Sequence, residues 1–348
     1  MAERNYAAVL YGPKDLRVVE WPIPEIGDKD VLIKMECVGI CGSDVKLYQA
    51  GRCGLETLVD PIVIGHEGAG YVAKVGSKVD ALKVGDRVAI EPTQPCRACE
   101  MCKQGRYNVC DEPGYCATSG GDGNLTTYYK HVADFCHRIP ENLSMEEGAA
   151  VQPVAIAIHA CNRAGIKLGT DLVIFGAGPI GVLCAQAARA MGATKILITD
   201  VVQSRLDAAK TMGVDLTLLT EGQTDKQTAD TIVRLMGCRP HVTIDACGFA
   251  SAQRVAMMVT RTGGVVTIVG IGGETTELPL SGAVLREVDI RGSYRIANTY
   301  PAALAAVSKG VIDLAPFITH HFPLERAREA IDYASTGQAM KIIIHVQK

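Results

Sequence analysis

Apolar and polar positions follow two different rhythms along the chain. Up to about residue 140 the apolar residues come in short runs, Tyr6–Tyr11, Val31–Gly39, Gly70–Val75 and Arg87–Glu91. Pairs such as Gly12-Pro13, Gly27-Asp28 and Gly85-Asp86 separate them. Short runs closed by turn residues predict strands, and hence a compact β-rich domain. From Met145 the rhythm changes. Met145–Ala164 is rich in Ala and Ile and predicts a helix. Beyond it strand and helix signals alternate: strands at Leu172–Phe175, Lys195–Thr199, Val242–Asp245 and Val265–Val269, and helices at Pro179–Met191, Gln203–Met212 and Ala250–Arg261. That alternation predicts a doubly wound parallel sheet, an α/β fold. Helices over Tyr300–Lys309 and Leu324–Ala334 and a closing strand at Lys341–Val346 form a tail that is expected to return to the first domain.

A length of 348 residues with 48% hydrophobic content fits two ordinary cores. The net charge of −3 with 21% charged residues gives no electrostatic case for nucleic acid or an anionic membrane as partner. No run approaches the roughly 18 apolar residues of a membrane span, and Met1–Leu10 lacks a secretory h-region. The expected location is cytoplasmic. Thirteen cysteines in a reducing compartment are better read as metal ligands where clustered and as small core residues where isolated, as at Cys161 and Cys184.

Gly176-Ala177-Gly178-Pro179-Ile180-Gly181 is a G-x-G-x-x-G that follows an apolar strand and opens a helix. In that context it predicts a dinucleotide site, with the pyrophosphate on the helix N-terminus. Asp200 follows the next strand at the distance of about 20 residues where an acid accepts hydrogen bonds from the adenosine ribose and repels a 2′-phosphate. NAD is therefore expected over NADP, with Arg205 as a nearby cation that softens the preference. A helix cap is the alternative role for Asp200.

Cys96, Cys99, Cys102 and Cys110 form a C-x-x-C-x-x-C-x7-C array. Four thiolates this close can enclose one Zn²⁺ in a structural site with no open position; an iron–sulfur cluster is the chemical rival. Cys41, in Gly39–Asp44, and His66-Glu67, in Gly65–Gly68, supply the ligand types of a catalytic Zn²⁺ with an open position. Sequence distance alone does not bring them together, and a His beside a Glu is more often structural.

Gly39–Asp44, Gly65–Gly68, the four-cysteine array, the glycine fingerprint and Asp200 occur in the order seen in the zinc-dependent medium-chain dehydrogenases. The chain resembles that family along its whole length. It is most similar to the polyol branch, the sorbitol dehydrogenases or ketose reductases, through Val38–Val45, Cys116–Thr118, Asp122–Leu125, Ile158–Cys161 and Thr260–Gly264. The resemblance implies a GroES-like β-barrel catalytic domain over 1–155 and 295–348, and a Rossmann NAD-binding domain over 156–294. It implies a homotetramer acting on a small-molecule secondary alcohol or polyol and passing a hydride to NAD. It implies that Cys41, His66 and Glu67 surround the catalytic zinc, and that Ser43 begins a proton relay, although Ser43 could equally cap a turn. It also implies coenzyme contacts from Val269, Ile271 and Arg295, and substrate contacts from Tyr115 and Arg295.

Departures from the family pattern matter as well. Gln152 stands where the polyol enzymes carry a Glu near the zinc or its water. An amide cannot ionise and binds zinc poorly, so the departing proton should be more acidic here. Lys46 replaces an expected His, and Leu47 and Ile296 replace aromatic residues. These changes predict weaker activity on sorbitol than the family norm. Two alternatives follow: a relative acting on a less hydroxylated or amino-alcohol substrate, or a catalytically impaired NAD-binding homologue.

Overall fold

The computed structural model describes residues 4–54, 56–118 and 121–347. The chain forms two compact units. The first comprises Met1–Gln152, Tyr300–Gly310 and Phe317–Lys348; the second comprises Pro153–Thr299 and Val311–Pro316.

A seven-stranded sheet organises the first unit. Its order is Cys136–Arg138, Arg87–Ile90, Glu67–Val75, Asp30–Gly39, Lys341–His345 and Ile318–Pro323, with Tyr128–Val132 also pairing with Asp30–Gly39. The pairs are antiparallel except the last, in which Ile318–Pro323 runs parallel to Lys341–His345. The C-terminal strand thus closes against Asp30–Gly39, Ile344 lying opposite Val38. Burial of Ile33, Met35, Val38, Ile64, Val88, Ile90, Ile342 and Ile344 makes the core. At the general coefficient of about 25 cal/mol per Å², each such side chain contributes roughly 1.5–3 kcal/mol. The helix Gly42–Ala50 follows the central strand directly and ends on Gly51 in the left-handed conformation.

The second unit is built on a six-stranded, fully parallel sheet in the order Leu216–Leu219, Ala193–Asp200, Thr170–Phe175, Val242–Asp245, Val265–Ile268 and Asp289–Gly292. Chain order reverses beside Thr170–Phe175, the switch point at which open α/β sheets bind ligands past the strands' carboxyl ends. The central strands Thr170–Phe175 and Ala193–Asp200 carry apolar runs buried on both faces, Leu172, Val173, Ile174, Ile196, Leu197 and Ile198 being wholly inaccessible. Cys161 and Cys184 are also fully buried.

The helix expected over Met145–Ala164 has those bounds, and the boundary between the units falls inside it, at Gln152 and Pro153. Four elements of the second unit are additional to the sequence expectation: the strands Leu216–Leu219 and Asp289–Gly292 and the helices Asp225–Met236 and Leu280–Val284. Asp200 is the last residue of its strand rather than the residue after it. Among the described residues no helix is long and apolar enough to cross a membrane.

Candidate metal centres and coenzyme site

Cys41 is the N-cap of the helix Gly42–Ala50, and Glu67 opens the strand Glu67–Val75 with His66 just before it. Gly39 lies opposite Glu67 in the ladder. The sheet therefore brings together what the sequence separates: ligand atoms of Cys41, His66 and Glu67 all lie within 4.8 Å of one another. Gly39 is required there, because a Cβ on it would stand 2.2 Å from Glu67 Oε2.

Asp44 orders the cluster. It is buried; Oδ2 accepts from the Cys41 amide at 2.9 Å, Oδ1 accepts from the Gly65 amide at 3.3 Å, and Oδ1 lies 3.5 Å from His66 Nδ1. A carboxylate on Nδ1 leaves Nε2 to face a metal, the usual arrangement behind a ligating histidine. Burial opposes charge on His66, but the Asp44 carboxylate and the Cys41 sulfur outweigh it and hold the imidazole pKa well above its ordinary value. Burial likewise opposes charge on Asp44, and His66 with the two backbone donors keeps its pKa low. On the other side, Glu67 Oε2 accepts from Lys341 Nζ at 2.6 Å. Asp44 and Lys341 are functional neighbours that the sequence reading missed.

Tyr115 packs its ring 5.8 Å from that of His66 and accepts at its hydroxyl from Gln152 Nε2 at 3.2 Å. Gln152 is fully buried, and its Oε1 has no hydrogen-bond partner among the described residues. A buried acceptor left open costs about 1–3 kcal/mol, which fits a site completed by a further group. One thiolate, one imidazole and one carboxylate with such an acceptor suit Zn²⁺. Ser43 sits half-buried in the first turn of the helix, Lys46 is exposed, and Leu47 belongs to the hydrophobic core.

The four cysteines of the lobe also converge. Cys96 Sγ lies 4.0 Å from Cys102 Sγ, and Cys99 Sγ lies 3.9 Å from Cys110 Sγ. Tetrahedral zinc–thiolate bonds of about 2.3 Å set sulfurs roughly 3.8 Å apart. Amides of Cys96, Ala98, Cys99 and Cys102 point at these sulfurs at 3.4 Å. Backbone donors of Asp111 and Cys102 bring the Cys99 thiol down to about 7, toward the thiolate that a metal needs. The lobe is tied to the sheet by Glu91, which accepts from Tyr107 Oη at 2.6 Å and pairs with His137 Nε2 at 2.9 Å.

In the second unit Gly176–Gly181 links the strand Thr170–Phe175 to the helix Pro179–Ala190. Gly181 admits no side chain, since a Cβ would lie 1.8 Å from the Gly176 carbonyl oxygen; Gly178, the N-cap, has open space beside it. Asp200 Oδ2 accepts from the Ala177 amide at 2.8 Å, and Oδ1 accepts from the Val202 amide at 2.9 Å. Arg205 approaches Oδ1 only to 4.0 Å. Asp245, also missed from sequence, is buried and accepts from the amides of Cys247 and Gly248 and from Gln253 Nε2, ordering the loop beside Val269. Ile271 is exposed. Arg295 adopts a left-handed φ of 53° and stacks on Tyr294, while Ile296 is fully buried.

The sequence matches the family model for the alcohol dehydrogenase GroES-like domain over residues 27–141, and that for the zinc-binding dehydrogenase over residues 179–309. It is 65% identical over 344 residues to a sorbitol dehydrogenase of Bombyx mori, covering 99% of each chain. The sorbitol dehydrogenase of Homo sapiens is 44% identical, with 98% of this chain and 95% of that one covered. Among solved structures, L-idonate 5-dehydrogenase of Escherichia coli superposes with a TM-score of 0.91 at 29% identity, covering 99% of both chains.

Proposed function

The chain belongs to the zinc-dependent medium-chain dehydrogenases, and on that premise we propose that it oxidises a polyol of the sorbitol class at a secondary alcohol, with NAD as acceptor, and reduces the matching ketose in reverse. The observation that carries this is the convergence of Cys41, His66 and Glu67, with Asp44 behind the imidazole. Zn²⁺ held there supplies a Lewis acid that stabilises negative charge developing on the substrate oxygen. NAD held at the Gly176–Gly181 turn would supply the nicotinamide as hydride acceptor.

The residues of the chain do the remaining work. Asp44 fixes the ring and tautomer of His66. Glu67 divides its charge between the metal position and Lys341. Ser43 is placed as the first hydroxyl of a proton exit route, and Tyr115 with Arg295 as polyol contacts; both roles rest on the resemblance. Gly176, Gly178, Pro179, Ile180 and Gly181 receive the pyrophosphate, with Val269 and Ile271 lining the coenzyme. Asp200 takes the ribose hydroxyls and favours NAD. The four-cysteine lobe holds a structural zinc. Thirteen cysteines support a cytoplasmic location, and the resemblance supports a homotetramer.

The amino-alcohol and impaired-homologue alternatives are not favoured, because the ligand set is complete and the close relatives are sorbitol dehydrogenases. A panel of polyols, simple secondary alcohols and threonine, read by NADH absorbance with NAD and NADP, tests the proposal. Polyol turnover with NAD is expected, with sorbitol below its family norm. Preference for threonine, or no turnover at full zinc load, would overturn it.

A further inference from the structure

A third set of ligating side chains lies on the first unit, and it shares no residue with either zinc site. Glu146 is the second residue of the helix Met145–Ala164, His321 is in the strand Ile318–Pro323, and His345 ends the strand Lys341–His345. The two strands run parallel with His321 opposite Ile343 and Pro323 opposite His345. By the two-residue period of a strand, both imidazoles then project from one face of the sheet. The first turn of the helix delivers Glu146 to the same point.

Three distances define the cluster. His345 Nε2 lies 3.1 Å from Glu146 Oε1, His321 Nδ1 lies 3.4 Å from the same oxygen, and the two ring nitrogens lie 3.3 Å apart. Ligand atoms bound tetrahedrally at about 2.0–2.1 Å stand roughly 3.3–3.4 Å from one another. A pair of ordinary ion pairs would account for the two contacts to Glu146. A ring–ring hydrogen bond would account for the nitrogen–nitrogen contact; all three contacts together have the spacing of ligands on one metal. His345 also has an outer partner, Cys37 Sγ at 3.7 Å from Nδ1. With the Nδ1 proton directed there, Nε2 is the lone-pair side, the second-shell arrangement of a ligating histidine.

We infer that Glu146, His321 and His345 form a binding site for a third divalent cation, a borderline metal such as Zn²⁺. Two imidazoles and one carboxylate suit Zn²⁺, Co²⁺ or Ni²⁺; Mg²⁺ and Ca²⁺ ask for more oxygen ligands. The three side chains are 33–45% exposed, so the fourth position opens to solvent. The ion ties the helix start to the two C-terminal strands and binds the folded chain alone, so it raises stability by mass action.

The test uses the isolated holoenzyme, washed free of loosely held metal and then titrated calorimetrically with Zn²⁺ alone, with metal content measured at the end. The wild type is expected to take up about one further ion per chain beyond the load that saturates activity. His321→Ala and Glu146→Gln should each weaken that uptake by at least about tenfold, and should leave the other zinc load and the dehydrogenase rate unchanged. Added Zn²⁺ should raise the Tm of the wild type and not of the variants. Should a variant unfold, Co²⁺ added to the wild-type holoenzyme reads the same site: visible bands of a nitrogen–oxygen environment support it. No further uptake by the wild type, equal uptake by folded variants, or no such Co²⁺ bands would overturn the inference.

Discussion

The ammonium of Lys341 lies 2.6 Å from Oε2 of Glu67, and both side chains are almost wholly removed from water. Its second partner is the Ile40 carbonyl at 3.0 Å. A lysine this deep is held by its partners, and the carboxylate it meets also belongs to the metal cluster. Removing one member of a buried pair leaves the other charge uncompensated, at a cost of about 3–5 kcal/mol. Lys341→Met should therefore lower the urea-unfolding free energy of the metal-free protein by that amount. The loss should be smaller with Zn²⁺ present, because the metal then neutralises Glu67. Equal unfolding midpoints for variant and wild type would contradict this role.

Gln152 is buried against Tyr115 with one oxygen unanswered. Gln152→Glu keeps the shape and adds a negative charge beside the His66–Tyr115 pair. A like charge disfavours loss of a proton from its neighbour. The lower limb of the kcat profile for polyol oxidation should move to alkaline pH, by about one unit. An unmoved limb would mean that position 152 does not sense the ionising group.

Much of the architecture was legible because its signals are local. Met145–Ala164 is a long Ala-rich stretch, and the strands of the parallel sheet are apolar runs bounded by glycine. Each metal ligand sits in a short motif. What escaped was long-range or weakly patterned. Asp289–Gly292 reads as a polar run, being an edge strand with little buried surface. Ile318–Pro323 alternates half-buried with exposed residues and ends in proline, as an edge strand can. The helix Asp225–Met236 did carry a readable sign, the capping box of Thr224 and Gln227. Lys341 and Asp44 could not be assigned, because a buried charge is recognised only from its partner, and Glu67 is 274 residues from Lys341.

The lobe should be the metal-dependent part of the first unit. Its short helix and 3₁₀ turn bury little beyond Cys110 and Asn108, so thiolate–zinc bonds must hold it. Cys99→Ser is expected to lower the zinc load by about one ion per chain and to make residues 95–113 cleavable by protease. Protection equal to wild type in the zinc-depleted variant would show that packing alone suffices.

His131 offers a pH test on a group that is not itself a metal ligand. Its Nε2 faces the Glu91 carbonyl at 2.8 Å, so that nitrogen carries the proton; Nδ1 faces Gln94 Nε2 at 3.3 Å, so it accepts. The ring is thus neutral, and burial brings its pKa down to about 4. The unfolded chain regains the ordinary value of about 6.5. Since the folded pKa is the lower one, the contribution to stability is complete above pH 6.5 and is lost as pH falls toward 4. Its size is about 3 kcal/mol. His131→Gln, which keeps a donor and an acceptor without titrating, should flatten the fall in unfolding free energy between pH 7 and 4. A slope identical to wild type would assign the acid sensitivity elsewhere.

Asp200 is held by the amides of Ala177 and Val202, so its carboxylate is fixed before coenzyme arrives. Hydrogen bonds to a charged group are worth about 1.5–3 kcal/mol. Asp200→Ala should therefore raise KM for NAD by about one to two orders of magnitude. It should also remove the repulsion that excludes a 2′-phosphate, with Arg205, 4.0 Å from that carboxylate, as the nearby cation that meets it. The ratio of kcat/KM for NADP to that for NAD should rise accordingly, and Arg205→Ala in the same background should reverse most of the gain. If the single substitution weakened both coenzymes equally, Asp200 would be a structural support of the glycine turn alone, and the preference for NAD would have to arise from another group.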